Sequence, residues 1–346
     1  MAQSKRDVAA SAADVALVGV TGLVGEALLA ELEQREFPVG KLHLLASESS
    51  DGEGRAFHNR SHLIGDAASF DFSRCQLAFF CTPAEVSRQL VPKALAAGCR
   101  VIDTSAAFRL QDDVPLQVAD LPLVDANAAL LALPAASVSQ AAALLAPLAA
   151  LAGLRRVAMT NLLPVSSLGR RAVNELAGQT ARLLNAQSFD TAVFPVQIAF
   201  NTLPMFEAAS FDAGEDCGYT HTELQLAAEL KKVLSAAELD VTLSQFFTPV
   251  FYGQTQTLQV EFDTPLTLER VRAALSAASG IEWLQQEEVL APVGGGLSGD
   301  TVVVGRIRQD DRDGRCWTLW SIADNVRKGA AVNSVQMAES LLKSYA

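Results

Sequence analysis

The sequence predicts an α/β protein: a doubly wound parallel sheet, followed by a second domain of the α+β class. Two observations support this prediction. In the first third of the chain, short apolar strands alternate with helical segments, and the first strand leads into a glycine-rich turn. Further along, strands of alternating polarity appear among longer helices. The 346 residues suit two domains, and half of them are hydrophobic, so a large core is available.

The composition excludes several classes of partner. Asp and Glu number 39 against 27 Lys and Arg, so the formal net charge is −12. Such an acidic surface repels nucleic acid and anionic membranes. The chain has five cysteines, an odd number, and no CxxC pair. This pattern predicts reduced thiols in a cytoplasmic protein. It favours neither a disulfide framework nor a metal site. The cysteines are Cys75, Cys81, Cys99, Cys217 and Cys316.

Two stretches lie outside the alternating pattern. Residues 1–13 are polar and rich in Ala and Ser, without the apolar core of a signal peptide, so we expect a disordered tail. Residues 128–154 are almost wholly apolar, but Pro134, Pro147 and several polar side chains interrupt them. We therefore expect a buried helix there and no membrane span.

The glycine-rich turn is the first candidate site. It follows an apolar strand at 15–18 and precedes a helical pattern over 26–32. Its glycines would let the backbone approach a pyrophosphate at the N-terminus of that helix, as in a Rossmann-like domain. The spacing differs from the usual GxGxxG, so a purely structural turn remains the alternative. The candidate cofactor residues here are Gly19, Thr21, Gly22, Leu23, Val24 and Gly25.

The loop after the second predicted strand, residues 41–46, bears on the choice of nucleotide. In dinucleotide folds this strand ends beside the adenosine ribose, where an acid accepts the 2′-hydroxyl and a base favours a 2′-phosphate. Ser47, Glu48 and Asp51 stand there, and the first basic residue is Arg55. If a dinucleotide binds, we expect the site to prefer NAD over NADP. A solvated acidic turn is the alternative.

Further elements follow in chain order. Strands at 76–81 and 99–103, with a helix at 84–97 between them, extend the parallel sheet, whose ligands bind at the carboxyl ends of the strands. In the second domain we expect strands at 157–160, 255–262, 302–307 and 316–322 and helices at 169–184 and 220–234. One long helix is expected over 325–345.

Several ordered motifs resemble those of the aspartate-semialdehyde dehydrogenases over nearly the whole chain. Residues 19–25 (GVTGLVG) are similar to that family's GATGxVG turn, and residues 105–109 with 113–116 to its SSAFR…DVPLV segment. GRIR at 305–308 and ADNVRKGAA at 323–331 match two further stretches. Within the family the chain is most similar to the USG-1 proteins, a branch that keeps the architecture without the usual catalytic set.

The resemblance implies a chemistry that several residues here do not fit. The family uses a cysteine thiolate that attacks the aldehyde, a histidine base, hydride transfer to NADP, and phosphate to release the acyl group. The cysteine's place is taken by Ala136, and the substrate-holding glutamine's place by Leu163. The substrate-binding arginine corresponds to Phe247 and the base histidine to Gln254. We expect no catalytic residue at these four positions.

At other positions that the resemblance marks as functional, some of the family's residues are replaced and some are retained. The lysine of the family's EExK helix corresponds to Gln225, and its arginine for the NADP 2′-phosphate to Ser49. Arg109, the family's phosphate and substrate arginine, is kept as a candidate anion site. Asn325, which in the family lies by the nicotinamide, is kept as a candidate cofactor residue together with Ser47.

Substitute nucleophiles are less favoured than structural roles. Ser137 is more simply an N-capping residue than a nucleophile, since no histidine is close in sequence. Cys217 and His221 are four residues apart, but a loop leading to a helix start at Thr220 explains them as well.

The sequence therefore predicts a family member without aspartate-semialdehyde dehydrogenase activity that forms homodimers and can retain NAD(P). An active NAD(P)-dependent oxidoreductase on another aldehyde or small acid is the alternative. We expect a dinucleotide-binding domain at 14–135, a substrate and dimerisation domain at 136–322, and a C-terminal helix at 323–346 that returns to the first domain. No nucleic acid, membrane or metal partner is expected.

Overall fold

The computed structural model describes residues 12–206, 218–284, 289–294, 299–310 and 312–343. It divides into two compact units. The first unit contains the residues up to Leu133 together with those from Ala331 onward, and the second runs from Pro134 to Ala330. Residues 1–11 of the expected tail at 1–13 lie outside the described residues. Cys217 lies outside them too.

The first unit contains seven strands and three helices among its described residues. The strands are β1 (Ala13–Val18), β2 (Val39–Ala46), β3 (Gly54–Phe57), β4 (Arg60–Asp66), β5 (Leu77–Phe80), β6 (Arg100–Asp103) and β7 (Leu130–Ala132). The helices are α1 (Leu23–Gln34), α2 (Ala84–Ala96) and, from the C-terminus, α7 (Asn333–Lys343).

The second unit contributes a second seven-stranded sheet. Its strands are β8 (Arg156–Leu163), β9 (Leu203–Pro204), β10 (Asp240–Phe247), β11 (Gln254–Glu261), β12 (Ile281–Trp283), β13 (Val302–Gln309) and β14 (Cys316–Ala323). Its helices are α3 (Ala136–Ala152), α4 (Arg170–Leu184), α5 (His221–Val233) and α6 (Leu268–Ala277).

The first sheet has the predicted doubly wound form. Its strand order is β3-β4-β2-β1-β5-β6-β7, and all of its pairs are parallel except β3 with β4. β1 and β5, at the centre, are buried on both faces, which explains their continuous apolar sequences. The hairpin β3–β4 was not predicted, because its short segments carry more polar than apolar residues.

The C-terminal helix packs in the first unit, as the fold prediction required. The guanidinium of Arg35, just after α1, donates to both carboxylate oxygens of Glu339 on α7, at 2.8 and 2.9 Å. Val335, Ala338 and Leu341 are buried at helical spacing along α7. The prediction of one regular helix over 325–345 was wrong in detail, because residues 327–332 form a π-helical segment before α7 begins.

The second sheet is mixed, in the order β12-β13-β14-β11-β8-β10-β9. β11 is antiparallel to both β14 and β8, whereas β8 and β10 run parallel. The single helix expected over 128–154 is wrong at its start, since β7 occupies part of that stretch and α3 begins only at Ala136. Pro134 between them cannot donate a ladder or helix hydrogen bond. Among the described residues, no helix has the length and hydropathy needed to cross a membrane.

Candidate functional site

The glycine-rich turn joins β1 to α1 in the first unit. Gly19 has φ of +90°, and a Cβ there would lie 2.4 Å from the carbonyl oxygen of Cys81. A Cβ on Gly25 would lie 2.1 Å from the carbonyl oxygen of Gly19, so α1 packs directly against the turn. Gly22 differs from both, because its Cβ position would meet nothing closer than 3.4 Å. Two of the three glycines are thus required by the fold itself, and Gly22 is not.

Gly22 is the N-cap of α1 and offers no side-chain cap. The first N–H groups of a helix lack intrahelical partners, and the helix dipole is positive at this end. Leu23 and Val24 therefore begin α1 with their backbone in a position that favours an anion. Thr21 is half-buried in the same turn. The predicted residues of the turn are together at the carboxyl end of β1.

The end of β2 lies beside this turn. The backbone N–H groups of Gly19 and Val20 both donate to the carbonyl of Leu45, at 2.8 and 3.3 Å. Ser47 follows directly, and its hydroxyl is 2.9 Å from that of Ser49. The side chains of Glu48 and Asp51 are exposed in the same loop. The structure thus places the turn and the acidic loop at the same edge of the first sheet.

Arg109 lies at the carboxyl end of β6. Its Nε donates to the carbonyl of Leu133 at 2.9 Å, and one terminal nitrogen donates to the carbonyl of Thr104 at 2.7 Å. The side chain is half-buried and fixed by backbone, which gives a cation of defined position.

Asp103, at the end of the same strand, is fully buried. The hydroxyls of Ser87 and Ser105 donate to its two carboxylate oxygens, at 2.8 and 2.6 Å. Burial raises the pKa of Asp103, and the two hydroxyl hydrogen bonds oppose that shift. Burial also raises the pKa of the nearby Cys81 thiol to about 12, so this cysteine is no thiolate nucleophile at neutral pH.

In the second unit, three positions lie at the same end of three neighbouring strands: Leu163, Phe247 and Gln254. Leu163 and Phe247 end β8 and β10 and pair with each other. Leu162 pairs with Thr255, which places Gln254, the first residue of β11, beside the end of β8. Three positions that are far apart in sequence are therefore adjacent.

The environment of Leu163 and Phe247 is apolar. Both belong to a buried cluster with Val165, Leu176, Phe194 and Ile198. The ring of Phe247 lies 5.7 Å from that of Phe194 and 5.3 Å from that of Phe206, between centroids. A charged or amide group at either position would be buried among apolar side chains, at a cost in desolvation.

Ala136 is the first residue of α3. The preceding N–H, that of Ala135, donates to the buried carboxylate of Glu229 at 2.9 Å. A Cβ on Gly329 would lie only 2.6 Å from the Cβ of Ala136, so Gly329 packs closely against that methyl group. The expectation that Ser137 caps this helix is wrong, because Ala135 is the N-cap and Ser137 lies inside the first turn, buried.

Beneath these residues runs a row of buried polar side chains that the sequence analysis missed. In register across β10, β8, β11 and β14 stand Gln245, Asn161, Gln256 and Ser321. The amide of Asn161 donates to Gln245 at 3.3 Å and accepts from Gln256 at 2.8 Å. We call these four residues the amide row. Its signal was visible as polar residues on the apolar face of β11.

The amide row is tied to α3. Gln256 also donates to the backbone carbonyl of Ser137 at 3.0 Å, and Gln140 donates to Ser321 at 2.8 Å. Gln254 in turn donates to Gln140 at 3.2 Å. These bonds place the first turns of α3, including Ala136, over the strand ends that carry Gln254 and Leu163.

Asn325 belongs to the same region of the second unit. Its side-chain oxygen accepts from the N–H of Gly253 and from the hydroxyl of Ser166, each at 3.3 Å. It therefore fastens the loop before Gln254 to the turn after Leu163. His221 begins α5, where Thr220 and Glu223 form a capping box, as expected of a helix start at Thr220. No group of three or more metal-ligating side chains occurs among the residues described.

Comparisons with known proteins agree with this architecture. Residues 14–142 match the NAD binding domain of the semialdehyde dehydrogenases, and residues 145–328 match their dimerisation domain. A USG-1 protein homolog of Pseudomonas aeruginosa is 41% identical over 96% of this chain and 98% of its own length. An aspartate-semialdehyde dehydrogenase of Legionella pneumophila is 37% identical over 96% of each chain. The crystal structure of aspartate semialdehyde dehydrogenase II from Vibrio cholerae superimposes with a TM-score of 0.92 at 36% identity, covering 97% of this chain and all of that one.

Proposed function

The chain belongs to the semialdehyde dehydrogenase family, and from that premise we propose that it is a dinucleotide-binding homodimer without aspartate-semialdehyde dehydrogenase activity. The observation that carries the proposal is Ala136 at the start of α3, where the resemblance places the nucleophilic cysteine. A methyl group cannot form the thiohemiacetal from which hydride leaves.

The surroundings of Ala136 support the same conclusion. In the proposed alignment, the arginine and glutamine that would hold a charged substrate correspond to Phe247 and Leu163, which lie buried in an apolar cluster. The base corresponds to Gln254, a neutral amide hydrogen-bonded to Gln140. A carboxamide is too weak a base to accept a proton near neutral pH, so general base catalysis from this position is excluded.

An assay of turnover tests this proposal. We expect purified protein to show no phosphate-dependent reduction of NAD or NADP with aspartate semialdehyde. The aspartate-semialdehyde dehydrogenase of Legionella pneumophila serves as the positive control. Loss of nucleophile and base together lowers catalysis by several powers of ten. Turnover of about 1 per second or faster would overturn the proposal.

We further propose that the dinucleotide is NAD. The loop after β2 presents Glu48 and Asp51 to solvent. Arg55, the nearest base in sequence, is paired with Glu53 at 3.3 Å. A 2′-phosphate here would face carboxylates, whereas a ribose 2′-hydroxyl would find acceptors.

Titration of NAD and NADP separates the two nucleotides. We expect NAD to bind at least about tenfold more tightly, which corresponds to about 1.4 kcal/mol. Glu48→Lys should shift the ratio toward NADP, and Glu269→Lys, the same charge change at an exposed position of the second unit, should not. Equal affinities in the wild-type protein would contradict the proposal.

In the proposed homodimer, the face of the second sheet that points away from α3 forms the interface. Gln256 and Ser321 face α3, so their neighbours Thr257 and Trp320, with Thr160 in the same row, face away from it. These residues are only half-buried although they lie on central strands. An open cavity of about 340 Å³ continues this face, with Arg156, Glu261, Arg308 and Asp310 among its lining residues.

A two-fold interface sets residue i of one copy against residue j of the other and j against i, so a face that carries charges of both signs can place opposite charges in contact. We expect sedimentation to show a dimer and Thr160→Arg to yield a folded monomer. Leu63→Arg, at an exposed position on β4 of the first unit, is the control. A dimer that persists in Thr160→Arg would exclude this face.

A further inference from the structure

Two buried cysteines of the first unit lie in direct contact, away from the candidate site. Cys75 precedes β5 and Cys99 precedes β6, and their sulfur atoms are 3.5 Å apart. Leu77 and Arg100 pair at the start of these parallel strands, so the two thiols lie at the amino ends. The candidate cofactor residues of this unit lie at the opposite, carboxyl edge of the sheet.

We propose that Cys75 and Cys99 form a redox-active pair that a peroxide converts into an intramolecular disulfide. The sulfurs need to approach by about 1.5 Å to reach the bond length of about 2.05 Å. The two residues lie just before neighbouring strands, which are about 4.8 Å apart, so we expect this approach to need side-chain rotation and little movement of the backbone.

The hydrogen bonds of the pair give the two thiols different roles. The hydrogen bond between the two sulfurs lowers the pKa of Cys75 and raises that of Cys99, since a thiolate at Cys75 would accept from the Cys99 thiol. We therefore expect Cys75, which is also the less buried of the two, to be the attacking sulfur and Cys99 the resolving one. Since thiolate character decides susceptibility to oxidation, the first oxidation falls on Cys75.

The reaction is balanced with one peroxide for each pair. The Cys75 thiolate attacks one peroxide oxygen, the O–O bond breaks, and hydroxide leaves and takes a proton to become water. The resulting sulfenic acid on Cys75 is attacked by the sulfur of Cys99, the S–O bond breaks, and a second water leaves with the Cys99 proton. Two thiols lose two electrons, and hydrogen peroxide is reduced to two waters.

Both cysteines are buried but lie next to exposed residues in the chain. Only 5% of Cys75 and 2% of Cys99 is exposed. The neighbours of Cys75, Arg74 and Gln76, are exposed, and so is Gly98 before Cys99. The thiols are thus flanked by exposed positions of the chain, and we expect a molecule as small as hydrogen peroxide to reach them. Cys81, in contrast, lies at the other edge of the sheet without a cysteine partner among the residues described.

Treatment of the full-length protein with hydrogen peroxide, followed by alkylation and peptide mapping without reductant, tests the proposal. We expect a peptide pair linked through Cys75 and Cys99 with the loss of two hydrogen atoms, reversed by dithiothreitol. The oxidised form should also melt at a higher temperature than the reduced form, because the crosslink restricts the unfolded chain.

Variants assign the roles. Cys99→Ser should leave Cys75 to oxidise to the sulfinic acid, whereas Cys316→Ser, in the second unit, should form the same disulfide as the wild type. If the serine variants do not fold, the wild-type mapping decides alone. Two free thiols after peroxide, sulfinic acid at Cys75 in the wild type, or a disulfide that involves another cysteine would each overturn the proposal.

Discussion

Substitution of Gly25 and Gly22 by alanine separates the structural role of the glycine-rich turn from its binding role. At Gly25 the new Cβ would stand 2.1 Å from the carbonyl oxygen of Gly19, where ordinary contact begins at 3.4 Å. Helix α1 would have to move about 1.3 Å from the turn, and overpacking of this kind costs about 1–3 kcal/mol. At Gly22 the same methyl group meets its nearest atom at 3.4 Å, and φ of −78° suits alanine.

Thermal melting and nucleotide titration of the two variants supply the measurements. For a unit of this size each kcal/mol shifts the melting temperature by about 2–4 °C. We expect a loss of about 2–12 °C in Gly25→Ala. In Gly22→Ala we expect a loss of at most about 4 °C, since alanine is a poorer N-cap than glycine.

Binding should follow a different pattern. The methyl group of Gly22→Ala would occupy the space through which a pyrophosphate approaches the N-terminus of α1, so we expect NAD affinity to fall at least about tenfold. A Gly22→Ala variant that binds NAD as tightly as the wild type would refute the binding role of the turn. An unchanged melting temperature in Gly25→Ala would refute the close packing of α1.

Three further predictions concern single side chains. Phe247→Arg, at the position where the family resemblance implies a substrate-binding arginine, buries a cation among Phe194 and Phe206. We expect it to destabilise the protein by about 3–5 kcal/mol in denaturant unfolding, and Phe247→Leu to cost much less. Burial raises the pKa of Asp103 in the folded protein, so the wild type should lose stability relative to Asp103→Asn as the pH rises above about 4. Melting curves over a pH series that show no such divergence would contradict the burial of Asp103 as a carboxylate. Thr220→Ala removes one half of the capping box on α5 and should cost about 1 kcal/mol, whereas Thr222→Ala in the first turn should cost less.

Much of the first unit could be predicted from the sequence because its signals are local. An apolar strand, a glycine-rich turn and a helical pattern lie consecutively at 15–32, and β1 and α1 form there. Similar continuity revealed β5, α2 and β6. β10, by contrast, was missed. Its alternation of polar and apolar residues begins with polar ones, and its pairing partner β8 is distant in sequence. Gln245 of β10 pairs with Asn161 of β8, 84 residues away.

The sequence by itself determined which chemical groups stand at the candidate positions: a methyl group at Ala136, an amide at Gln254 and an aromatic ring at Phe247. Only the tertiary structure decided that Leu163 and Phe247 adjoin in an apolar cluster, that the amide row fastens α3 to the sheet, and that the sulfurs of Cys75 and Cys99 are in contact. The physical reason is that residue identity fixes chemical capacity, whereas burial and hydrogen bonding arise between strands and helices distant along the chain. These contacts are set by strand register and packing, which local sequence patterns do not contain.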